Sequence, residues 1–429
     1  MKRELIAYAL GTAILAGALT GCGSSNAGST GANDGAAVLG AKTGTVELWN
    51  DKLNNTDQSA IDELTESASS LSGVNVSCVA YPDTASYQTA LQQSITTADA
   101  PGLFTWWSGP QLMTLAESGN LADLTDIWNE YVVPNGVADS VKDSLTYDGK
   151  IYAVPYSIIY NMIIYNKNVF AENNIEVPTT FDELLSVCET LKSKGITPIA
   201  LKNDSWAGFI WFQAMLAAYD PDLYQGVCDG SIAYTDDKVV EVMHIWQDMI
   251  DKGYFSEPMQ ITDMDKSLAN GTVAMMLEPN YECKNLTNDY GMEPEEDMSV
   301  FVVPSMNGEK SIIFYEIAPL CVAENSDDKD SAKEVLKSWY TKENQTVFTN
   351  VTGFLCTSQV VSENATSNQM VSLTQDDSKY EMMLRYYENT NDAIRDVALD
   401  ELMKFETKAA TADDILPVIQ KKADEVFGQ

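Results

Sequence analysis

Residues 45–49 read TVELW, residues 74–81 read VNVSCVAY and residues 102–107 read GLFTWW, with helical stretches at Ser59–Leu71 and Ala85–Thr97 between them. Short β-rich runs separated by helices and brief connections predict strands paired in parallel through right-handed crossovers, the opening of an α/β lobe. A second series follows from Ile151, with a strand at Met162–Tyr165 and a helix opened by Thr179-Thr180-Phe181-Asp182-Glu183. Thr180 followed three residues later by Glu183 is a capping box. Thr197–Leu201, Val273–Leu277 and Val300–Val303 read as further strands, and Phe209–Tyr219 as an apolar helix. Asp236–Lys252 is amphipathic, with Val239, Met243, Trp246 and Ile250 on its buried face. The last part is more helical. Ser331–Tyr340 opens with a Ser331/Glu334 capping pattern, and helices are expected over Glu381–Phe405 and Asp413–Phe427, the last capped by Thr411 with Asp414. The expectation is two α/β lobes followed by C-terminal helices.

The chain has 429 residues, and 63 Asp and Glu against 26 Lys and Arg give a net charge of -37. That length fits two domains or three, and 45% hydrophobic residues fit an ordinary globular composition. Such an acidic surface cannot neutralise phosphates, so nucleic acid is excluded as a partner. With His244 the only histidine, zinc sites built on paired histidines are excluded too, and no metal or cofactor is expected. His244 reads as a boundary residue without a chemical task. Arginine occurs only at Arg3, Arg385 and Arg395, which disfavours a guanidinium clamp on an anionic ligand. Neutral ligands gain weight.

At the N-terminus, Lys2 and Arg3 precede the apolar run Leu5–Leu19, which is short for a membrane span and fits a signal peptide over residues 1–21. The run ends in Leu19-Thr20-Gly21-Cys22, which resembles the lipobox of bacterial lipoproteins. That resemblance implies a diacylglycerol on Cys22, removal of residues 1–21, and anchorage to the outer face of the bacterial cytoplasmic membrane. Residues 22–41 read as a flexible tether. Cys78, Cys188, Cys228, Cys283, Cys321 and Cys356 form no CxxC pair. They are expected as buried free thiols, although an exported chain could carry disulfides.

Several blocks together resemble the family 1, maltose-binding-like, extracellular solute-binding proteins of ABC importers. They are VELWNDKLNN (46–55), LFTWWSGPQLMTLAESGNLADLTD (103–126), YDGKIYAVPY (147–156), NMIIYNKNVF (161–170), PTTFDELL (178–185), LANGTVAMML (268–277) and AKEVLKSWYTKENQ (332–345). The resemblance covers about residues 43–425. It implies a two-lobed, periplasmic-binding-protein-like (type II) α/β fold with an interlobe hinge. One lobe would take residues 42–155 plus 315–356, the other 156–314 plus 357–429. It further implies capture of a neutral mono- or oligosaccharide by hinge closure, docking on ABC permease subunits, a monomeric state and no enzymatic activity. A sensory or adhesive carbohydrate-binding lipoprotein is the alternative, and a glycosidase a more distant one.

Ligands of open α/β sheets lie beyond the carboxyl ends of strands. There the sequence carries Asn50, Asp51 and Lys52, then Trp106 and Trp107, then Asn280 and Tyr281. Planar amides and carboxylates suit sugar hydroxyls, and an indole suits a sugar's C–H face. By the resemblance, Trp107 takes the place of a stacking tryptophan, Trp206 that of a cleft aromatic, and Tyr156, Tyr315 and Glu316 stand at interlobe crossings. Core packing is the competing role for the Trp106–Trp107 pair, and a solvated surface pair for Asp51 and Lys52. Trp211, inside an apolar helix, reads as core.

Overall fold

A computed structural model describes residues 44–53, 56–137, 139–204 and 207–428. The signal run, Cys22 and the tether lie outside the described residues. The strands are β1 Thr45–Asn50, β2 Asn75–Ala80, β3 Leu103–Thr105, β4 Thr146–Tyr147, β5 Lys150–Ile151, β6 Ala153–Asn166, β7 Thr197–Ala200, β8 Val273–Pro279, β9 Met298–Phe301, β10 Ser311–Val322 and β11 Tyr380–Leu384. Except for the β4–β5 hairpin they join one sheet in the order β2-β1-β3-β10-β6-β8-β7, with β11 beside β10 and β9 beside β6. β1 runs parallel to both β2 and β3, as the strand–helix–strand alternation predicts.

Two long strands form the middle of the sheet. β6 reads AVPYSIIYNMIIYN and is buried almost throughout, the composition of a strand covered on both faces. Its antiparallel partner β10 is equally buried, and their register shifts between Ala318 and Pro319, where Pro319 lies opposite Pro155. Two prolines facing each other remove ladder donors, which accounts for the irregularity. One end of β10 pairs with β3 and the other with β11, while the far half of β6 pairs with β8 and β9. The chain thus makes one shared sheet, with a separate hydrophobic cluster on either side of its middle. One cluster draws on Val46–Ile159 and Ile317–Cys356; the other draws on Ile163–Phe314 and Tyr386–Ala423. A smaller cluster contains Met162, Cys283, Leu286, Ile313 and Met370.

The local signals place most helices. Thr180 Oγ1 accepts from the Glu183 N–H at 3.2 Å while Glu183 reaches back to the Thr180 N–H, so the capping box starts helix Phe181–Ser193. Thr411 and Asp414 do the same for helix Ala412–Phe427. Val239, Met243, Trp246 and Ile250 are all buried on helix Asp237–Asp251. Three expectations fail. Tyr156 and Met162–Tyr165, expected in separate elements, belong to a single strand. Ser331 lies inside helix Lys329–Trp339, whose N-cap is Asp328. The helix expected over Glu381–Phe405 is instead β11, a short turn of helix at Tyr386–Asn389, and helix Asp392–Glu406. Pairing of Tyr380–Leu384 with Ser311–Tyr315 of β10 overrides the local helical preference there.

The six described cysteines are unpaired, and all but Cys78 are buried. Among the described residues no helix is long and apolar enough to cross a membrane.

Candidate functional site

A cleft of about 1010 Å³ opens beside the shared strands, lined by Trp107, Ile159 and Phe354 of the first cluster and by Tyr387, which packs against both. Its first wall follows β1 and β3. Asp51 is anchored by Thr105 Oγ1, which donates to Oδ1 at 2.7 Å, and by Lys52 Nζ, 3.0 Å from Oδ2. The Lys52 ammonium also stands 4.7 Å from the centre of the Trp107 ring. Burial opposes that charge, but Asp51 and Glu316 outweigh it and hold the Lys52 pKa above the usual lysine value. Lys52 thus covers one face of Trp107, and Trp106 meets the same indole edge-to-face at 4.9 Å.

The floor carries Glu316 from β10 and Arg385 from the end of β11. Arg385 Nη1 lies 2.7 Å from Glu316 Oε2, while Nε and Nη2 grip both oxygens of Glu388 at 2.7 Å each. Burial works against the guanidinium, yet these two carboxylates raise its pKa further. Burial likewise pushes the Glu388 carboxyl upward despite Arg385. Tyr387 and Phe354 add aromatic surface.

The opposite wall is one face of helix Glu282–Tyr290. Tyr281, Lys284, Asn285, Asn288 and Asp289 all line the cleft. Behind them lies a buried carboxylate group. Asn285 Nδ2 donates to Glu282 Oε1 at 3.0 Å, and Lys202 Nζ lies 3.2 Å from Glu278 Oε2. Burial pushes Glu278 up to about 7, and burial with the neighbouring Glu282 pushes Asp265 up to about 8. Among the described residues no group of His, Cys, Asp or Glu is arranged to hold a metal ion.

Asp51, Lys52, Trp107, Tyr281 and Glu316 therefore meet in the cleft. Five other expected residues do not line it. Asn50 is fully buried, its Oδ1 accepting from the Lys52 N–H at 2.7 Å. Asn280 is also fully buried, holding the Tyr160 N–H at 3.0 Å. Trp106 packs on Phe104 and Tyr87 and does not line the cleft. Tyr156 sits in the core between Trp339, Phe348 and Phe354. Tyr315 packs partly buried against the first cluster, its carbonyl accepting from the Arg385 N–H. Trp206 lies outside the described residues. Trp211 is core, edge-on to Phe255, and His244 lies on the surface 3.1 Å from Asp413. The residues missed were Arg385, Tyr387 and the polar face of helix Glu282–Tyr290. That face repeats at helical spacing in the sequence, but so does any solvated face.

Residues 59–375, most of the chain, match the sequence profile of the bacterial extracellular solute-binding proteins. The chain belongs to that family. The diacetylchitobiose binding protein DasA of Streptomyces coelicolor is 28% identical to this solute-binding protein over 261 residues, 58% of this chain and 59% of its own length. The chain thus spans about three fifths of that relative. A solved structure from work on xylan utilization by Caldanaerobius polysaccharolyticus superposes with a TM-score of 0.76 at 21% identity, covering 88% of this chain and 99% of that one. A chitin oligosaccharide binding protein gives 0.76 at 20%, covering 89% and 98%. These likenesses establish the two-lobed type II solute-binding fold. The family is extracellular, so the protein is an exported one.

Proposed function

We propose that this solute-binding protein captures a neutral carbohydrate, an oligosaccharide, between its lobes and delivers it to the permease subunits of an ABC importer. The observation that carries this is the state of the cations in the cleft. Lys52 is engaged by Asp51, Arg385 by Glu316 and Glu388, and Lys284 by backbone carbonyls. Among the described residues lining the cleft, each ammonium or guanidinium is already engaged. What remains facing the space are amides, carboxylates and aromatic rings, which suit hydroxyls and C–H faces. The sugars in the names of the relatives agree with this chemistry, and a cleft of about 1010 Å³ exceeds the needs of a single ring.

The ligand-contacting set in this reading is Asp51, Lys52, Trp107, Tyr281 and Glu316, joined by Arg385, Tyr387 and Asn285. The lobes are taken as residues 42–155 plus 315–356 and 156–314 plus 357–429, and the separate hydrophobic clusters support that division. The Leu19–Cys22 motif supports a lipid anchor on Cys22 at the outer face of the cytoplasmic membrane. The protein acts as a monomer and binds its sugar without cleaving it.

Calorimetry of the full chain against neutral oligosaccharides, uronate-bearing sugars, amino acids and polyamines tests the reading. A neutral oligosaccharide is expected to bind and to be recovered intact. Trp107→Ala is expected to weaken it about tenfold through loss of an aromatic face. Tight binding of an amino acid or polyamine, with every neutral sugar inert, overturns the assignment.

A further inference from the structure

In this acidic chain the buried cations find carboxylates. Lys52 lies 3.0 Å from Asp51, Lys202 3.2 Å from Glu278, Arg385 2.7 Å from Glu316 and Arg395 2.9 Å from Asp396. Lys284, like Lys167 and Lys333, instead meets backbone carbonyls. From helix Glu282–Tyr290 its Nζ donates to the backbone carbonyls of Asn350 at 2.7 Å and Val351 at 2.8 Å. Both belong to the last turn of helix Lys342–Thr352, where carbonyls have no partner inside the helix. Thr349 O is already taken by the Gly353 N–H. The ammonium supplies what that terminus lacks, and the partial negative charge of a helix C-terminus favours a cation there. Burial draws the Lys284 pKa below its usual value, with Glu363 the one charge raising it.

The contact joins two lobes. Phe348 of the capped helix belongs to the first cluster, and Cys283 and Leu286 beside Lys284 belong to the small cluster of the second. Gly353, where the chain leaves helix Lys342–Thr352 toward the second lobe, is shaped around the lysine. Its φ is +77°, and a Cβ there would lie 3.3 Å from Lys284 Cδ and 3.7 Å from Lys284 Cβ. The aliphatic stem therefore lies along bare backbone. Farther on, Asn364 Nδ2 donates to Cys283 O at 3.0 Å, so the same helix holds both ends of this connection.

We propose that Lys284 is a positioning residue that fixes the closing angle of the lobes, one lobe's ammonium capping the other lobe's helix, and so sets how tightly the cleft holds its sugar. The affinity part rests on the carbohydrate-capture reading; the capping part does not. The comparison is of full-length wild type, Lys284→Met, which keeps the stem and loses the donors, and Lys284→Arg, which restores donors. Hydrogen exchange of the ligand-free chains is read at residues 349–364 and 281–290, and sugar affinity and off-rate are read by titration and stopped-flow mixing. In Lys284→Met both segments exchange faster and binding weakens about tenfold through the off-rate, the scale of a lost charged hydrogen bond, and Lys284→Arg recovers both. Unchanged exchange in Lys284→Met, or a loss that Lys284→Arg does not recover, overturns the proposal. If no sugar binds any of the three proteins, the function reading falls while the exchange comparison still decides the cap.

Discussion

Replacing Arg385 by methionine keeps the bulk of the side chain and strands two carboxylates. Glu388 loses both of its 2.7 Å bonds with its side chain fully buried, and Glu316 loses one with 9% exposure. Breaking a buried pair by removing one partner costs about 3–5 kcal/mol, because the remaining charge has neither water nor counter-ion. Glu316 can still feel Lys52, so the larger share falls on Glu388, which answers by taking a proton. Its folded pKa, already raised, rises further above the unfolded value. The Arg385→Met protein is therefore closest to wild type at low pH and loses stability as pH rises past the unfolded carboxyl range. Urea unfolding of full-length wild type and variant at pH 5 and pH 8 reads this directly. Lys252→Met, whose pair with Asp248 is about half exposed, serves as a control and is expected to cost about 0–1 kcal/mol. Arg385→Met combined with Glu316→Gln and Glu388→Gln is expected to recover most of the loss. A cost below about 1 kcal/mol at pH 8, or the same cost at both pH values, refutes the claim that these charges are buried and interdependent.

The carboxylates behind the opposite wall make a second pH prediction. Folded Asp265 and Glu278 keep protons up to about 8 and about 7, whereas unfolded carboxyls release theirs near 4. The folded state thus binds more protons in between, and stability falls as pH rises from about 4 to about 8. Asp265→Asn should flatten part of that slope, and an unaltered slope in denaturation midpoints would remove Asp265 from the account. Gly109 has φ +71°, and a Cβ there would run into the Glu388 carbonyl, which the proposed division puts in the other lobe. Gly109→Ala is therefore expected to cost more than about 1 kcal/mol and to weaken ligand binding as the lobes are held apart. Wild-type affinity in that variant would show that this approach does not limit closure.

How much of this was legible depended on the range of the interactions involved. The capping boxes at Thr180/Glu183 and Thr411/Asp414, and the buried stripe of helix Asp237–Asp251, are local and read directly from spacing. β6 was divided in two because a strand covered on both faces shows no alternation, and nothing in AVPYSIIYNMIIYN marks where one lobe yields to the other. β11 reads locally as helix because its partner, Ser311–Tyr315, is remote in sequence. At the site, strand ends pointed to the right neighbourhood but not to the side chain that faces the space. Trp107 faces the cleft while Trp106 does not, and Tyr281 does while Asn280 is buried beneath it. Counting arginines does not reveal that one of them, Arg385, lines the cleft. There Glu316 and Glu388 engage its charge.

The shared sheet also has a bearing on how the chain is made. β3 is completed by β10, with Leu320 opposite Thr105, so its neighbour is synthesised roughly 200 residues later. At 5–20 residues per second that is a wait on the order of 10–40 s. Throughout it the first lobe has an open strand edge and an unfinished core, awaiting Leu320, Val335, Leu336 and Trp339. The first cluster is finished only after the chain has emerged as far as Cys356. A holdase acting on the nascent chain would therefore find its natural target at β3, and a cut anywhere between the lobes would leave two fragments rather than two domains.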